Sequence, residues 1–148
     1  MNGNLLLANL ISLFHTIVVL FMLIAPFTGK PALMILHIVF GLSLLVHWWA
    51  NNNICSLTYL EAQLRGLDHT ESFTHKFIGP VYDICKTDWS TICYILTIAL
   101  MMISMYNLYH SPIVKAAFEC YRDTNTNTDV KLTFSERIKC FAPLFKLN

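Results

Sequence analysis

Three histidines sit inside otherwise apolar stretches of this sequence: His15 within Leu5–Phe27, and His37 and His47 within Pro31–Ala50. An ionisable side chain in such surroundings is costly, so each is a candidate ligand for haem or a metal ion, or a carrier of a proton. Pro26 and Pro31 frame a short turn, so residues facing one another across it sum to about 57, which sets His15 opposite about residue 42. At about 1.5 Å of rise per residue, His37 and His47 each lie roughly 7–8 Å from His15 along the helix axis. His15 and His37 are therefore the pair that could hold a haem edge or metal, and only after some adjustment. The structural alternative is that each ring bonds a backbone carbonyl or the hydroxyl of Ser12, Thr16 or Ser43. No nucleophile–base pair and no paired carboxylate site is legible, which weighs against an enzyme.

A second chemical cluster follows in "ICSLTYLEAQLRG", residues 54–66. Thr58-x-x-Glu61 has the form of a capping box, in which the two side chains satisfy free N–H groups at a helix start. Leu57, Leu60 and Leu64 fall on one face, Glu61 precedes Arg65 by four residues, the favourable order for an ion pair, and Gly66 suits the stop. This predicts a short helix over 59–65 lying on the membrane surface. It either shields the end of a helical bundle or turns Arg65 inward, against His15 or the foot of the first helix. A further amphipathic piece carries Phe73, Phe77 and Val81.

The elements that must position these residues follow from composition. Of 148 residues, 55% are hydrophobic and 13% charged, about half the charged share of a soluble domain. Leu5–Phe27, Pro31–Ala50 and Trp89–Tyr109 are each long and apolar enough to cross a bilayer. The expectation is an all-α integral membrane protein. A membrane domain at 1–110 has helices at about 4–26, 31–50 and 89–110 and an interfacial loop at 51–87. A helical tail occupies 111–148. The first stretch lacks the basic n-region of a signal peptide, and "TGKP" is not a small-residue cleavage site, so it reads as a retained helix. Trp48, Trp49, Trp89, Tyr106 and Tyr109 sit where interfacial aromatics belong.

Three spans place the 51–87 loop and the tail on opposite sides. Lys30, Lys115, Arg122, Lys131, Arg137, Lys139 and Lys146 fall on the tail side, against Arg65, Lys76 and Lys86 on the other. The positive-inside tendency puts the tail in the cytoplasm. A net charge of +1 offers nothing to nucleic acid. The five cysteines have no zinc-type spacing; a Cys55–Cys85 bridge needs an oxidising compartment, and free thiols are the alternative.

In the tail, Ser111–Pro112 restarts a helix with Ile113, Ala117 and Cys120 on one face. Thr133-x-x-Glu136 is a second capping box, opening a basic amphipathic helix over 133–145. Phe134, Ile138 and Phe141 form its apolar stripe beside Arg137 and Lys139, a pattern for docking on a partner or a membrane surface, or for folding back on the bundle.

Residues from about 5 to 85 resemble the small membrane proteins grouped as domain of unknown function 2784. The likeness runs through "LFH", "KPALMILH", "CSLTYLEAQLR" and "FTHKFIGPVY". The positions it singles out are His15, His37, Cys55, Leu57, Thr58, Glu61, Arg65 and His75, with Ser56 standing where the family pattern has proline. The resemblance implies a compact helical membrane fold and no defined activity. The Asn/Thr-rich tail and this form of the motif are also similar to copies in large DNA viruses. The expected function is a structural or assembly component of a larger membrane-associated complex, such as a viral inner membrane and its capsid. Its partners would be the lipid bilayer and other protein subunits. The alternative is a redox protein binding haem or metal through His15 and His37, with His75, near Cys55.

Overall fold

The structure is a computed structural model that describes residues 3–66, 89–126 and 134–146. It is all-α, with three helices long and apolar enough to span a membrane. Helix α1 (Gly3–Ile24) passes into a short 3-10 turn (Ala25–Phe27) and then α2 (Pro31–Ala50); α3 is Ser56–Arg65, α4 Trp89–His110 and α5 Pro112–Thr126. A single α-turn, α6 (Phe134–Ile138), then continues as a 3-10 segment (Lys139–Phe145).

Local chemistry sets each junction. Pro26 ends α1, and Gly29 takes a left-handed backbone (φ 68°) that a side chain would resist. Lys30 is extended, as the residue before a proline must be, and Pro31 opens α2 where its missing N–H costs nothing. At the far end, the Asn51 side chain donates to the His47 carbonyl at 2.8 Å, and the Asn53 amide bonds the Trp48 carbonyl at 2.8 Å. Asn52 and Asn53 both adopt positive φ, which asparagine tolerates better than most residues. This turn sends the chain back along the bundle rather than away from it.

The three spans meet around small and polar side chains. A Cβ on Gly41 would sit 2.7 Å from the Met101 sulfur, so the Met101 side chain of α4 fills the space that a larger residue on α2 would need. His37, wholly buried on α2, is bonded on both ring nitrogens: Nε2 to the Met22 carbonyl at 3.1 Å and Nδ1 to the Ser104 hydroxyl at 2.9 Å. A carbonyl only accepts, so Nε2 carries the proton and Nδ1 takes the serine's. Asn107 donates to the Pro26 carbonyl at 3.0 Å, tying α4 to the end of α1. Outward-facing leucines, isoleucines and valines of the spans are exposed, as side chains in lipid contact are.

The tail forms its own small unit. Val114, Ala117 and Leu144 are buried with Leu108 and Phe141 against them, and Cys120 is disulfide-bonded to Cys140. The expected single helix over 133–145 is not what forms. Only Phe134–Ile138 is α-helical, and Pro143 lies within the 3-10 segment, where an uninterrupted α-helix is disfavoured. Thr133 lies outside the described residues.

Candidate thiol site at the head of α3

Helix α3 packs along α1. It begins at Ser56, two residues before Thr58, so the expected Thr58–Glu61 capping box does not form and Thr58 is already inside the helix. The leucine face is not the buried one either. Glu61 and Ala62 are turned inward, while Leu60 is 43% exposed. On α1 the matching buried positions are Ala8 and Ser12, small residues that let a second helix approach closely. Gly66 closes α3 in a left-handed conformation (φ 66°), as its position predicts.

Burying Glu61 requires a partner, and Arg65 supplies it. Its Nε donates to Glu61 Oε1 at 3.0 Å, and its Nη2 donates to Asn9 Oδ1 on α1 at 2.9 Å. Arg65 thus bridges the outer turn of α1 and a carboxylate only 1% exposed. The second carboxylate oxygen, Oε2, is buried and has no hydrogen-bond partner among the described residues; His15 Nδ1 is in the same condition. Glu61 is near enough for its charge to act on His15.

Cys55 completes the group. It precedes the first residue of α3 and carries a free, half-buried thiol. His47 holds the head of the helix, its Nε2 accepting the Ser56 amide at 3.3 Å. Burial pushes the Cys55 thiol up, but the neighbouring His15 imidazole and the amides of Thr58 and Leu57 at the helix start outweigh it, bringing the pKa from 9.0 down to about 7. A cysteine at a helix N-terminus beside an imidazole has the surroundings of a reactive thiol, not a packing one. Chemically the arrangement can ionise Cys55, pass its proton to His15 and offset the resulting positive charge with Glu61.

His15, Cys55, Glu61 and Arg65 therefore converge, with Leu57 and Thr58 contributing backbone amides. His37 does not join them; its Nε2 is bonded to the Met22 carbonyl and its Nδ1 to the Ser104 hydroxyl. Among the described residues no three His, Cys, Asp or Glu side chains are grouped to hold a metal ion. His75, Cys85 and the Phe73–Val81 piece lie outside the described residues. Phe134, Arg137, Ile138, Lys139 and Phe141 belong to the tail, across the bundle from Cys55. Phe134 is 79% exposed and Ile138 is exposed, whereas Phe141 packs on Phe118 and Tyr121 with ring centroids 5.7 and 5.6 Å apart. Sequence reasoning set His15 near Cys55 only as part of a cofactor site, and missed their direct pairing and Asn9 as the residue that anchors Arg65. The one available signal was a cysteine directly preceding a helix start. No family model, no curated protein and no solved structure matches this chain.

Proposed function

We propose that this integral membrane protein carries out thiol chemistry at one membrane face, with Cys55 as nucleophile and His15 as its base. Glu61 offsets the charge on His15, and Arg65 and Asn9 hold Glu61 in place. The observation that carries this reading is the placement of Cys55 at the head of α3 beside His15, surroundings that bring its thiol down to about 7. The likeness to domain of unknown function 2784 is part of the proposal, since four of its motif positions are the residues that meet here. The test is the pH profile of Cys55 alkylation by iodoacetamide in detergent micelles, with the modified residue identified by mass spectrometry. A midpoint near pH 7 supports the reading, and a midpoint back near the ordinary thiol value of 9.0 overturns it.

A second reading is an assembly component of a larger complex, such as a viral inner membrane docked on its capsid by the tail. Two observations favour it. Phe134 and Phe145 are exposed at 79% and 64%, a poor use of aromatic area unless something covers them. The tail also combines basic residues, which favour the cytoplasmic side, with a Cys120–Cys140 disulfide that cytoplasm ordinarily keeps reduced. A membrane later enclosed in a particle that leaves the cell reconciles the two. Co-purification of the particle's other proteins with the tail, lost on Phe134→Ala, tests it.

A further inference from the structure

We propose that Cys93 is the resolving thiol for Cys55, and that the site works by thiol–disulfide exchange on a disulfide-bearing substrate. This rests on the reading of Cys55 as a nucleophile and specifies what it attacks. The first turns of α4 come against the turn that leads into Cys55. The Tyr94 hydroxyl donates to Asn53 Oδ1 at 3.0 Å, and the Tyr94 ring meets Trp48 edge-on with centroids 5.5 Å apart. Cys93 immediately precedes Tyr94, and Cys55 follows Asn53 by two residues. Both thiols are free and half-buried, and the charge of Cys55 acts on Cys93.

The two differ in what surrounds them. Cys55 has an imidazole and two backbone amides, while Cys93 sits within a span beside the turn. An attacking thiol held as thiolate and a second thiol waiting beside it are the two roles that exchange requires. In the first step the Cys55 thiolate attacks one sulfur of a substrate R–S–S–R′. The Cys55–S–S–R bond forms, the substrate disulfide breaks, and R′S⁻ leaves and takes the proton held on His15. In the second, Cys93 gives up its proton and attacks the Cys55 sulfur. RS⁻ leaves with that proton, and a Cys55–Cys93 disulfide remains. The substrate disulfide is reduced by two electrons and the protein dithiol oxidised by two. A dithiol of either membrane or aqueous origin returns the protein to its starting state by the same steps reversed.

The test uses the full chain in micelles with dithiodipyridine as the probe disulfide, followed by released thiopyridone and by non-reducing peptide mapping. Wild type is expected to release thiopyridone in two phases of similar size at this site and to yield a Cys55–Cys93 linked peptide. Cys93→Ser is expected to stop after the first phase with the probe retained on Cys55, and Cys55→Ser to lose the linked peptide. A persistent Cys55 adduct in the wild type, or a link from Cys55 to Cys85 instead, overturns the assignment of Cys93. Because the wild-type map alone decides this, a variant that fails to fold does not rescue the idea. Either of those outcomes leaves the reactive Cys55 standing; a Cys55 that the probe does not modify at neutral pH removes both readings together.

Discussion

His15→Ala separates a thiol activated by its neighbour from one that is merely accessible. Burial and the two amides remain in the variant and oppose one another, so the Cys55 thiol should return from about 7 to near its ordinary 9.0. At pH 7 the thiolate share then falls from one half to roughly 1%, a drop of about 50-fold. A thiolate becomes more nucleophilic as its pKa rises, with a slope of about 0.4–0.5, so each remaining thiolate reacts about 6- to 10-fold faster. The expected result is alkylation about 5- to 8-fold slower than wild type at pH 7, and about 6- to 10-fold faster above pH 10. The two profiles must therefore cross. Iodoacetamide kinetics at Cys55 by mass spectrometry, with a thermal melt to establish that the variant is folded, provide the measurement. Superimposable profiles, or a variant slower at every pH, would refute the argument, because neither follows from removing a base. His15→Gln keeps a polar side chain without the base and should behave like the alanine variant.

Three other outcomes follow from the packing. Arg65→Met strands Glu61 and should lower stability in detergent by about 2–3 kcal/mol, less than the 3–5 of a fully buried pair because Arg65 is one-quarter exposed. Adding Glu61→Gln to it should restore part of that loss on the same melt. Ser104→Ala deprives the wholly buried His37 Nδ1 of its donor and should cost about 1–3 kcal/mol with no effect on the Cys55 profile. Phe141→Ala should loosen the tail, read as faster proteolysis between α5 and the C-terminal segment. Phe134→Ala should leave proteolysis unchanged, because that ring is 79% exposed.

The spans, the Pro31 start of α2 and the Gly66 stop of α3 are written in local sequence, because length, apolarity and backbone restriction are local properties. The hairpin arithmetic also places His37 usefully. Facing residues summing to about 57 put residue 20 opposite it, two away from the Met22 carbonyl that it bonds. The thiol site is different in kind. His15 and Cys55 come from separate helices and meet only because Asn52 and Asn53 take left-handed backbones and turn α3 back onto α1. Glu61 and Arg65 have the spacing of an exposed helix pair, and nothing in that spacing announces that Ala8, Ser12 and Ala62 will admit the carboxylate between two helices. The apolar stripe of α3 pointed the wrong way for a related reason: beside lipid, leucines are content on the outside and the polar face is the one that needs shelter.

The bond between Cys120 and Cys140 makes the C-terminal unit a molecule with two covalent forms. Closed, it ties α5 to the segment that ends the described chain; open, that segment is held by non-covalent packing alone, including Leu108, Val114, Ala117, Phe118 and Tyr121. The bridge closes a loop of about 20 residues, for which chain entropy alone is worth about 3 kcal/mol. Insertion of the three spans needs none of this, since it depends on apolar length alone. Assembly in the membrane and closure of the tail are thus separable events, and the second waits on the surroundings. A population drawn from a reducing compartment and one drawn from an oxidising one would share a sequence and a membrane domain, yet present different surfaces at the C-terminal end. The tail dates the protein by where it has been.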